Sequence, residues 1–336
     1  MKKHVNIPIF LPQYGCANDC IFCNQKTITG KKGNPTLLEV RDTIDLRLKT
    51  IKKEETEVQI AFFGGNFLGL PQSQQKDYLS VAQEYIDFGF VNSIRFSTRP
   101  DSISENSLNY IKAFSVKNIE LGMQSMDDEV LLKAGRGHTA IETVEASKLI
   151  LEKGYVLGLQ MMLGLPGDNF EKLMQTAKYI VDLGASETRI YPVLILKDTH
   201  LEELYRRGLF QSLSIEESVE MVAKLVHFFK ENNIKILKVG LHPSEAYTSE
   251  NELVAGPYHP SFYELVLTQI WKDRLGKKLK TFNKEENILI RANKFEINSF
   301  VGHKSSNKIW LKENYPNAII KLDESLIKGE FVIEKI

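Results

Sequence analysis

The cysteines of this sequence lie close together near its start, in a pattern that could bind a metal cluster. Cys16, Cys20 and Cys23 are the only three cysteines, and they stand at C-x3-C-x2-C spacing. Thiolates at this spacing can bind three irons of a 4Fe–4S cluster and leave the fourth iron without a protein ligand. That open iron can hold a small molecule by its amine and carboxylate groups. The sequence therefore predicts an iron–sulfur cluster with a free coordination site.

Two other interpretations of the cysteines are weaker. A structural zinc site needs four protein ligands, and the chain has no fourth cysteine. His4 could complete such a site, but its distance from the cysteines matches no common zinc motif. A disulfide framework is disfavoured by the odd number of cysteines and by the lack of a secretory signal.

The composition is that of a globular protein with a sizeable core. The 336 residues are 43% hydrophobic, which permits one large domain with a small one, or two domains of ordinary size. No apolar run approaches the ~18 residues that a membrane helix needs, and the first residues are too few for a signal peptide. We therefore expect a cytoplasmic protein with no membrane segment. The net charge of zero gives no indication of a nucleic-acid partner.

Short apolar runs alternate with amphipathic helical patterns from residue 5 to about residue 241. Apolar residues recur at steps of three and four in 37–51 and 215–229. This alternation predicts an α/β fold, with parallel strands and helices packed outside them. Helix caps are predicted at Thr139 with Glu142, Asp168 with Glu171, and Ser214 with Glu217. The predicted strands span 5–11, 58–63, 93–98, 118–123, 156–163, 188–194 and 234–241.

The cysteine motif resembles that of the radical SAM family, which binds S-adenosylmethionine at the open iron of its cluster. Three further runs narrow the resemblance: ELGMQSMDDEV followed by GRGHT, then LQMMLGLPGD, then RIYPVLILKDTHLEELY. They are similar to the radical SAM half of the Elongator catalytic subunit and its bacterial relatives, over residues 9–241. The resemblance implies a partial (β/α)6 TIM-like barrel in residues 1–250, with a cluster loop at 12–30. It also implies an electron donor such as flavodoxin or ferredoxin.

The chain departs from that family pattern in three places. Residues 250–336 are too few for the acetyltransferase domain of the Elongator subunit, and they show no acyl-CoA phosphate loop. The acetyl-dependent chemistry on the wobble uridine therefore does not transfer. The lack of a second cysteine group excludes the auxiliary clusters of methylthiotransferases and peptide maturases. Ser97 stands where relatives often carry a glutamate that contacts the cofactor.

Candidate binding residues follow the predicted strands, because chemistry in a parallel barrel gathers at the carboxyl ends of its strands. Gly64 and Gly65 follow the second strand, and two glycines let a ligand approach the backbone closely. By resemblance, these glycines and Asn66 hold the methionine part of S-adenosylmethionine. Glu120 and Gln124 lie four residues apart on the fourth strand, so strand parity points both toward a ribose or carboxylate.

Later strands supply the other candidates. Arg136, in the GRGHT run, is a further candidate cofactor contact. The Gly/Pro loop after the fifth strand opens a helix, and free amides at a helix N-terminus suit an adenosine contact. Tyr191 and Lys197 follow the sixth strand, where they could contact a substrate. They are the candidate catalytic residues. The candidate residues of the Gly/Pro loop are Gly164, Gly167 and Asp168.

Residues 251–336 are expected to form a linker helix at 261–275 and a small domain. The order strand, helix, loop, helix, strand around Gly302-His303-Lys304-Ser305 resembles a KH RNA-binding module, although Ser305 replaces the second loop glycine. Residues 277–321 carry ten basic and four acidic side chains, which favours contact with tRNA or another RNA. A capping domain indifferent to RNA, with a solvated basic face, is the alternative. His242 and His259 each precede a proline, and a loop histidine is more often structural than catalytic.

Three functions follow from these patterns. The favoured hypothesis is a radical SAM enzyme that takes hydrogen from a substrate, most plausibly a tRNA base. The alternative enzyme is an oxidoreductase or mutase acting on a small metabolite. The third hypothesis is an RNA-binding protein in which the cluster has only a structural role.

Overall fold

The computed structural model of the chain describes residues 3–12, 16, 20–24, 33–241 and 252–336. His242 and most of the cluster loop lie outside these residues. The chain forms two compact units. The first comprises Met1–Leu213 with Phe228–Tyr258, and the second comprises Ser214–His227 with His259–Ile336. In the described residues no helix is both long and apolar enough to cross a membrane.

The first unit is built on a sheet of seven parallel strands in which neighbours in sequence lie side by side, in the order β1-β2-β3-β4-β5-β6-β8. This half-barrel confirms the predicted TIM-like architecture. The strands of the first unit are β1 Lys3–Leu11, β2 Thr56–Gly64, β3 Ser93–Thr98, β4 Val116–Gln124, β5 Val156–Leu163, β6 Glu187–Pro192, β7 Ile195–Leu196, β8 Lys235–Val239 and β9 Leu253–Ala255.

Helices connect the strands in the predicted alternation. Thr139 and Glu142 form the predicted capping box, and Ser214 with Glu217 forms the same pair of hydrogen bonds. The predicted cap at Asp168 is wrong by one residue, because the Asn169 side chain accepts the hydrogen bond from the Lys172 backbone. The helices are Leu37–Leu48, Gln72–Asp87, Glu105–Ile111, Asp128–Lys133, Ala140–Glu152, Phe170–Asp182, His200–Arg206 and Ile215–Glu231.

The predicted sixth strand, 188–194, runs two residues too far. β6 ends at Pro192, which has no N–H to donate to a sheet. The chain then turns, and β7 pairs antiparallel with β9. This pairing places residues 253–255 with the barrel, beyond the predicted boundary at residue 250.

The second unit has its own apolar core around Trp271, Phe300 and Phe331, whose rings lie 5.3–6.0 Å apart. Its sheet has the order β11-β10-β12. The predicted order strand, helix, loop, helix, strand is present. Its elements are the helix Phe262–Leu279, β10 Ile288–Asn293, the helices Ile297–Val301 and Ser306–Asn314, β11 Ala318–Asp323 and β12 Phe331–Lys335.

Candidate cofactor site

The segment that carries Cys20 and Cys23 is fixed to the barrel by apolar and backbone contacts. The Cys23 N–H donates to the Cys20 carbonyl over 3.0 Å, which makes a tight turn. Between them, Ile21 exchanges backbone hydrogen bonds with Ala134 and Leu201. Ile21 and Phe22 pack against a buried cluster that includes residues of the helices Asp128–Lys133 and His200–Arg206. The polar cysteines are thus held by the hydrophobic residues between them.

Two buried arginines surround the cysteine thiols. Arg136 places Nη1 3.0 Å from Cys20 Sγ and donates from Nη2 to the Gly122 carbonyl over 2.5 Å. Arg99 donates from Nη2 to the Arg136 carbonyl, and the Asp101 carboxylate accepts hydrogen bonds from Nε and from the same Nη2, both over 2.9 Å. Sequence reasoning assigned no role to Arg99, although an arginine directly after a buried strand was a usable signal.

Cys16 lies against the loop that follows β2. Cys16 is exposed to solvent. Partial desolvation by its neighbours raises the pKa of the thiol, and nearby Arg99 and Arg136 and a hydrogen bond from the Asn66 backbone oppose this rise. A metal ligand must be a thiolate. The two cations and the backbone N–H are therefore suited to a thiolate that an iron also stabilises.

The Gly64-Gly65-Asn66 loop is defined by its backbone. Gly64 has φ of +111°, and a Cβ there would lie 2.8 Å from the Leu11 carbonyl oxygen. The Gly65 N–H donates to the same oxygen over 2.7 Å. The Asn66 side chain accepts hydrogen bonds from the Thr98 hydroxyl and the Arg99 N–H. Asn66 thus ties the end of β2 to the end of β3, and its backbone faces Cys16.

The strand parity that predicted a shared direction for Gln124 and Glu120 is interrupted between the two residues. The register of β4 shifts between Leu121 and Gln124, and Gln124 has φ of +64°. A β-bulge reorients side chains, so that Gln124 Nε2 lies over Gly122 at the side of Arg136. Its Oε1 is buried and has no hydrogen-bond partner among the described residues.

Glu120 is enclosed in the barrel interior, where it is 1% exposed. Its carboxylate lies 2.5 Å from Arg189 Nε and 3.1 Å from Arg95 Nε, and it accepts from Gln160 Nε2 over 2.9 Å. Burial alone would raise the pKa of Glu120, but Arg189 and Arg95 outweigh it and lower the pKa. Arg95 also pairs with Glu187, so the interior charges form one connected network.

Tyr191, at the end of β6, contacts this network through Arg189. Burial raises the pKa of Tyr191, and the neighbouring Arg189 guanidinium opposes this rise. Arg189 also lies 4.6 Å from the centre of the Phe63 ring. Lys197 accepts a hydrogen bond from Asn24 at its carbonyl, which links the end of the cysteine segment to the turn after β7. Sequence reasoning missed Arg95 and Arg189, although arginines inside apolar strands were a usable signal.

The Gly/Pro loop after β5 makes a tight left-handed path. Gly164 and Gly167 have φ of +79° and +80°, and added Cβ atoms would meet the side chains of Leu213 and Lys133 within 3.0 Å. Asp168 follows, and burial raises its pKa to about 6. The loop is thus packed closely before the helix Phe170–Asp182 begins.

The residues around the cysteines fit a bound cluster and its ligand. Gln124 Oε1, Arg99 Nη1 and Arg136 Nε are buried without hydrogen-bond partners in the described part of the chain. Unpaired buried polar atoms are costly, and a ligand with anionic and polar groups would satisfy them. Among these residues no group of three or more His, Cys, Asp or Glu could hold a single metal ion. A cluster does not require one, since each thiolate binds a different iron.

The chain is similar to known proteins along its whole barrel. It is 33% identical to the tRNA uridine(34) acetyltransferase of Methanocaldococcus infernus over 129 residues, which are 38% of this chain and 24% of the relative. Elongator complex protein 3 of Saccharomyces cerevisiae is 26% identical over 54% of this chain and 36% of its own. The structure of archaeal Elp3 from M. infernus, with residues 1–46 deleted, shares the fold at a TM-score of 0.63 and 21% identity, over 83% of this chain and 64% of that one.

In each comparison the chain covers less than two thirds of the other protein. Two family descriptions match: Radical SAM superfamily over residues 10–180, which is half of the chain, and Radical_SAM C-terminal domain over 186–272. Members of the superfamily use S-adenosylmethionine and a 4Fe–4S cluster. The half-barrel and the cysteine motif of this chain are features of that superfamily. The chain therefore belongs to the radical SAM superfamily and is a radical SAM enzyme.

Proposed function

We propose that this protein cleaves S-adenosylmethionine reductively at a 4Fe–4S cluster and abstracts hydrogen from a base of tRNA. One observation carries the proposal: the loop after β2, the GRGHT run and the cysteine segment meet at the carboxyl ends of the strands. The loop after β2 contacts Cys16, the GRGHT run contacts Cys20, and partnerless polar atoms surround both.

In this proposal Cys16, Cys20 and Cys23 bind three irons. A cluster bound there would supply one electron for the reductive cleavage of the S–C5′ bond of S-adenosylmethionine. Gly64 and Gly65 leave room for the methionine amine, and Asn66 holds their loop in place through Thr98 and Arg99. The buried Gln124 Oε1 offers an acceptor to the ligand. The loop at 164–168, with helical amides behind it, is assigned to the adenosine.

The charged residues inside the barrel position the side chain that is proposed to face the substrate. Glu120 acts through Arg189, because both carboxylate oxygens are engaged inside the barrel. Arg189 in turn lies beside Tyr191 at the end of β6. Tyr191 is thereby oriented to meet a substrate or to return hydrogen to it, and Lys197 lies on the following turn.

The substrate class rests on the relatives and on the second unit. One relative acts on tRNA, by its name, and residues 277–321 carry an excess of six basic side chains. Of these, Arg291 pairs with Asp323 and Lys294 with Glu324. Lys304, Lys308 and Lys312 are exposed and form no ion pair with described residues. The second unit is proposed to bind RNA in a KH-like manner, and a flavodoxin or ferredoxin to supply electrons.

The i, i+4, i+8 spacing of these three lysines would predict one stripe along a helix, but the structure places only two of them on one helix. Lys308 and Lys312 lie one turn apart on the helix Ser306–Asn314, but Lys304 precedes it with φ of +51°. Ser305 also has a left-handed φ, of +61°. The loop therefore adopts glycine-like backbone geometry although its last residue is serine.

The enzymatic part of the proposal is tested with anaerobically reconstituted, reduced protein. We expect about four irons per chain and conversion of S-adenosylmethionine to 5′-deoxyadenosine and methionine. Nucleosides of tRNA from cells with and without the gene are then compared, and one modified nucleoside should disappear. Cleavage without any change in tRNA would instead favour a small-metabolite substrate.

The RNA contact is tested by changing Lys304, Lys308 and Lys312 together to glutamine. Each lost phosphate contact lowers the magnitude of the slope of log affinity against log salt by about 0.7–0.9, so the loss of all three contacts should lower it by about 2.1–2.7. The matched control changes Lys76, Lys148 and Lys178, which are exposed on helices of the barrel. If both triple variants bind tRNA as the parent does at low salt, the RNA hypothesis fails.

A further inference from the structure

Lys238, on the last strand of the barrel sheet, is a cation without a counter-charge among the described residues. Its neighbour across the sheet is Arg189, which already forms the ion pair with Glu120. Lys238 is half-buried. Burial and the charge of Arg189 both lower the pKa of its amine, and no carboxylate raises it. The fold thus places a lysine where a charge is unfavourable, which indicates a role other than stability.

A local irregularity in β8 directs Lys238 to the barrel interior. In an unbroken register, Leu237 would lie beside Arg189. The register shifts by one residue there, so that Lys238 pairs with Arg189 instead. Successive side chains of a strand point to opposite faces, and the shift therefore exchanges a leucine for a lysine on the interior face. Irregularities of this kind reorient side chains and are frequent next to active sites.

The interior face around Lys238 is open at the carboxyl ends of the strands. Deeper in the barrel, Glu120 is 1% exposed. Toward the carboxyl ends, the interior positions of β2, β5, β6 and β8 are only partly buried, and we call these four residues the barrel mouth. They are Phe63, Met162, Tyr191 and Lys238. A molecule that enters from this end would rest on them, above the ion pair between Glu120 and Arg189.

The barrel mouth combines aromatic surface with one available cation. The Phe63 ring centre lies 4.6 Å from the Arg189 guanidinium carbon, and Tyr191 lies two residues beyond Arg189 on the same face of β6. Arg189 already donates to both carboxylate oxygens of Glu120, so the ammonium of Lys238 has the donors that remain. A flat group can pack on the rings while an ammonium binds one of its oxygens.

We propose that Lys238 anchors the substrate by donating a hydrogen bond to a carbonyl or carboxylate oxygen of a flat group bound in the barrel mouth. This inference rests on the proposed abstraction of hydrogen from a substrate. Met162 packs against the same buried apolar residues as Ile21 and Phe22, which lie between two of the cysteines, so a group in the mouth lies near the cysteine segment. On tRNA the oxygen is that of a base carbonyl, and on a small metabolite it is that of a carboxylate.

Lys238 should affect the rate with tRNA and not the affinity for tRNA. Because phosphate contacts supply most of the affinity for RNA, loss of Lys238 should change KM for tRNA by less than about twofold. Because small displacements of a reacting group lower rates strongly, Lys238→Met should lower the maximal tRNA-stimulated rate of 5′-deoxyadenosine formation about tenfold. Lys238→Arg keeps the charge and should recover part of that rate.

The experiment uses anaerobically reconstituted, reduced protein and tRNA from cells that lack the gene. Lys235→Met is the matched control, because Lys235 lies on the same strand but pairs with Glu187, and it should behave as the parent does. The yield of modified nucleoside per 5′-deoxyadenosine is measured with the rates and should fall in Lys238→Met, since the base is held less firmly. A Lys238→Met protein with the parental rate and yield would overturn the proposal.

Urea unfolding of the apo-proteins separates anchoring of substrate from a structural role. Removal of a half-buried charge that lacks a counter-charge should leave the unfolding midpoint of Lys238→Met at or above that of the parent. A midpoint clearly below the parental one, with Lys235→Met unchanged, would make Lys238 a structural residue and sink the proposal. If tRNA does not stimulate the parent, the proposed tRNA function is wrong, and the unfolding midpoint alone decides on Lys238.

Discussion

The interior of the barrel and the rim around the cysteines both contain buried arginines, but their charges are balanced differently. In the interior, Arg95 and Arg189 face Glu120 and Glu187, so cations and carboxylates are equal in number. At the rim, the described residues give Arg99 and Arg136 one carboxylate, that of Asp101, and their other hydrogen bonds go to two backbone carbonyls and the Cys20 sulfur.

This difference separates a structural network from a binding site. Buried charges are costly unless they are paired. In the interior each arginine forms ion pairs with carboxylates, although Arg95 Nε and Nη1 make no hydrogen bond among the described residues. The rim leaves a positive excess and several partnerless polar atoms, which thiolates bound to iron and an anionic ligand would neutralise. Perturbed charges and incomplete pairing of this kind are typical of functional sites.

Removing a thiolate from the rim should have the largest effect. Cys20→Ala should reduce the iron content from about four per chain to near zero and abolish the cluster's absorbance. Ser147→Ala is the control, because it removes a small buried polar group from the helix Ala140–Glu152. A Cys20→Ala protein with full iron, reconstituted without zinc, would show that the rim does not bind the cluster.

Removing a carboxylate from the charged network inside the barrel should lower the stability of the protein without removing a ligand of the iron. Glu120→Gln leaves Arg95 and Arg189 without their shared carboxylate, and removal of one partner from a buried ion pair costs about 3–5 kcal/mol. Urea unfolding of the anaerobic apo-protein measures this change. The exposed Glu84→Gln serves as control and should have little effect. Equal stability of the two variants would mean that the interior network is not needed for folding.

The positive rim should also keep a neighbouring histidine neutral. His138 is 4% exposed, and burial together with Arg136 and Arg99 lowers its pKa to about 4. The unfolded chain, with a histidine pKa of about 6.5, binds the proton first. Stability is therefore complete above about pH 6.5 and falls as the pH drops toward about 4, by about 3 kcal/mol. In His138→Gln the apo-protein should lose this part of its pH dependence; an unchanged profile would place the histidine outside the field of the arginines.

The smallest expected effect concerns Asp168 in the loop after β5. Because its pKa is raised to about 6, the folded protein holds a proton that the unfolded chain releases near pH 4. Stability should therefore decrease as the pH rises from about 4 to about 6. Partial exposure limits the change to about 1 kcal/mol. Asp168→Asn should abolish it, as followed by thermal unfolding of the apo-protein, and a parental pH profile in that variant would exclude Asp168 as the cause.

The sequence determined the fold class and the cysteine site because these depend on local patterns. The alternation of apolar runs with helical periodicity located all seven parallel strands to within a few residues, since one buried face of each strand must be apolar. The exclusive use of cysteine at 16, 20 and 23 needed no tertiary information. The order of elements from β10 to β11 was also local, because their turns and capping residues are read along the chain.

Only the tertiary structure decided which polar residues meet. A register shift in β4 interrupts the strand parity between Glu120 and Gln124, and no feature of the sequence marks such an irregularity inside a strand. Arg136 reaches Cys20 across 116 positions in the chain, and Arg189 reaches Glu120 across 69. Such pairs form only after the strands close side by side, so that their partners depend on register and twist. Whether a buried arginine supports the fold or faces a ligand is therefore determined by the charges that folding brings to it.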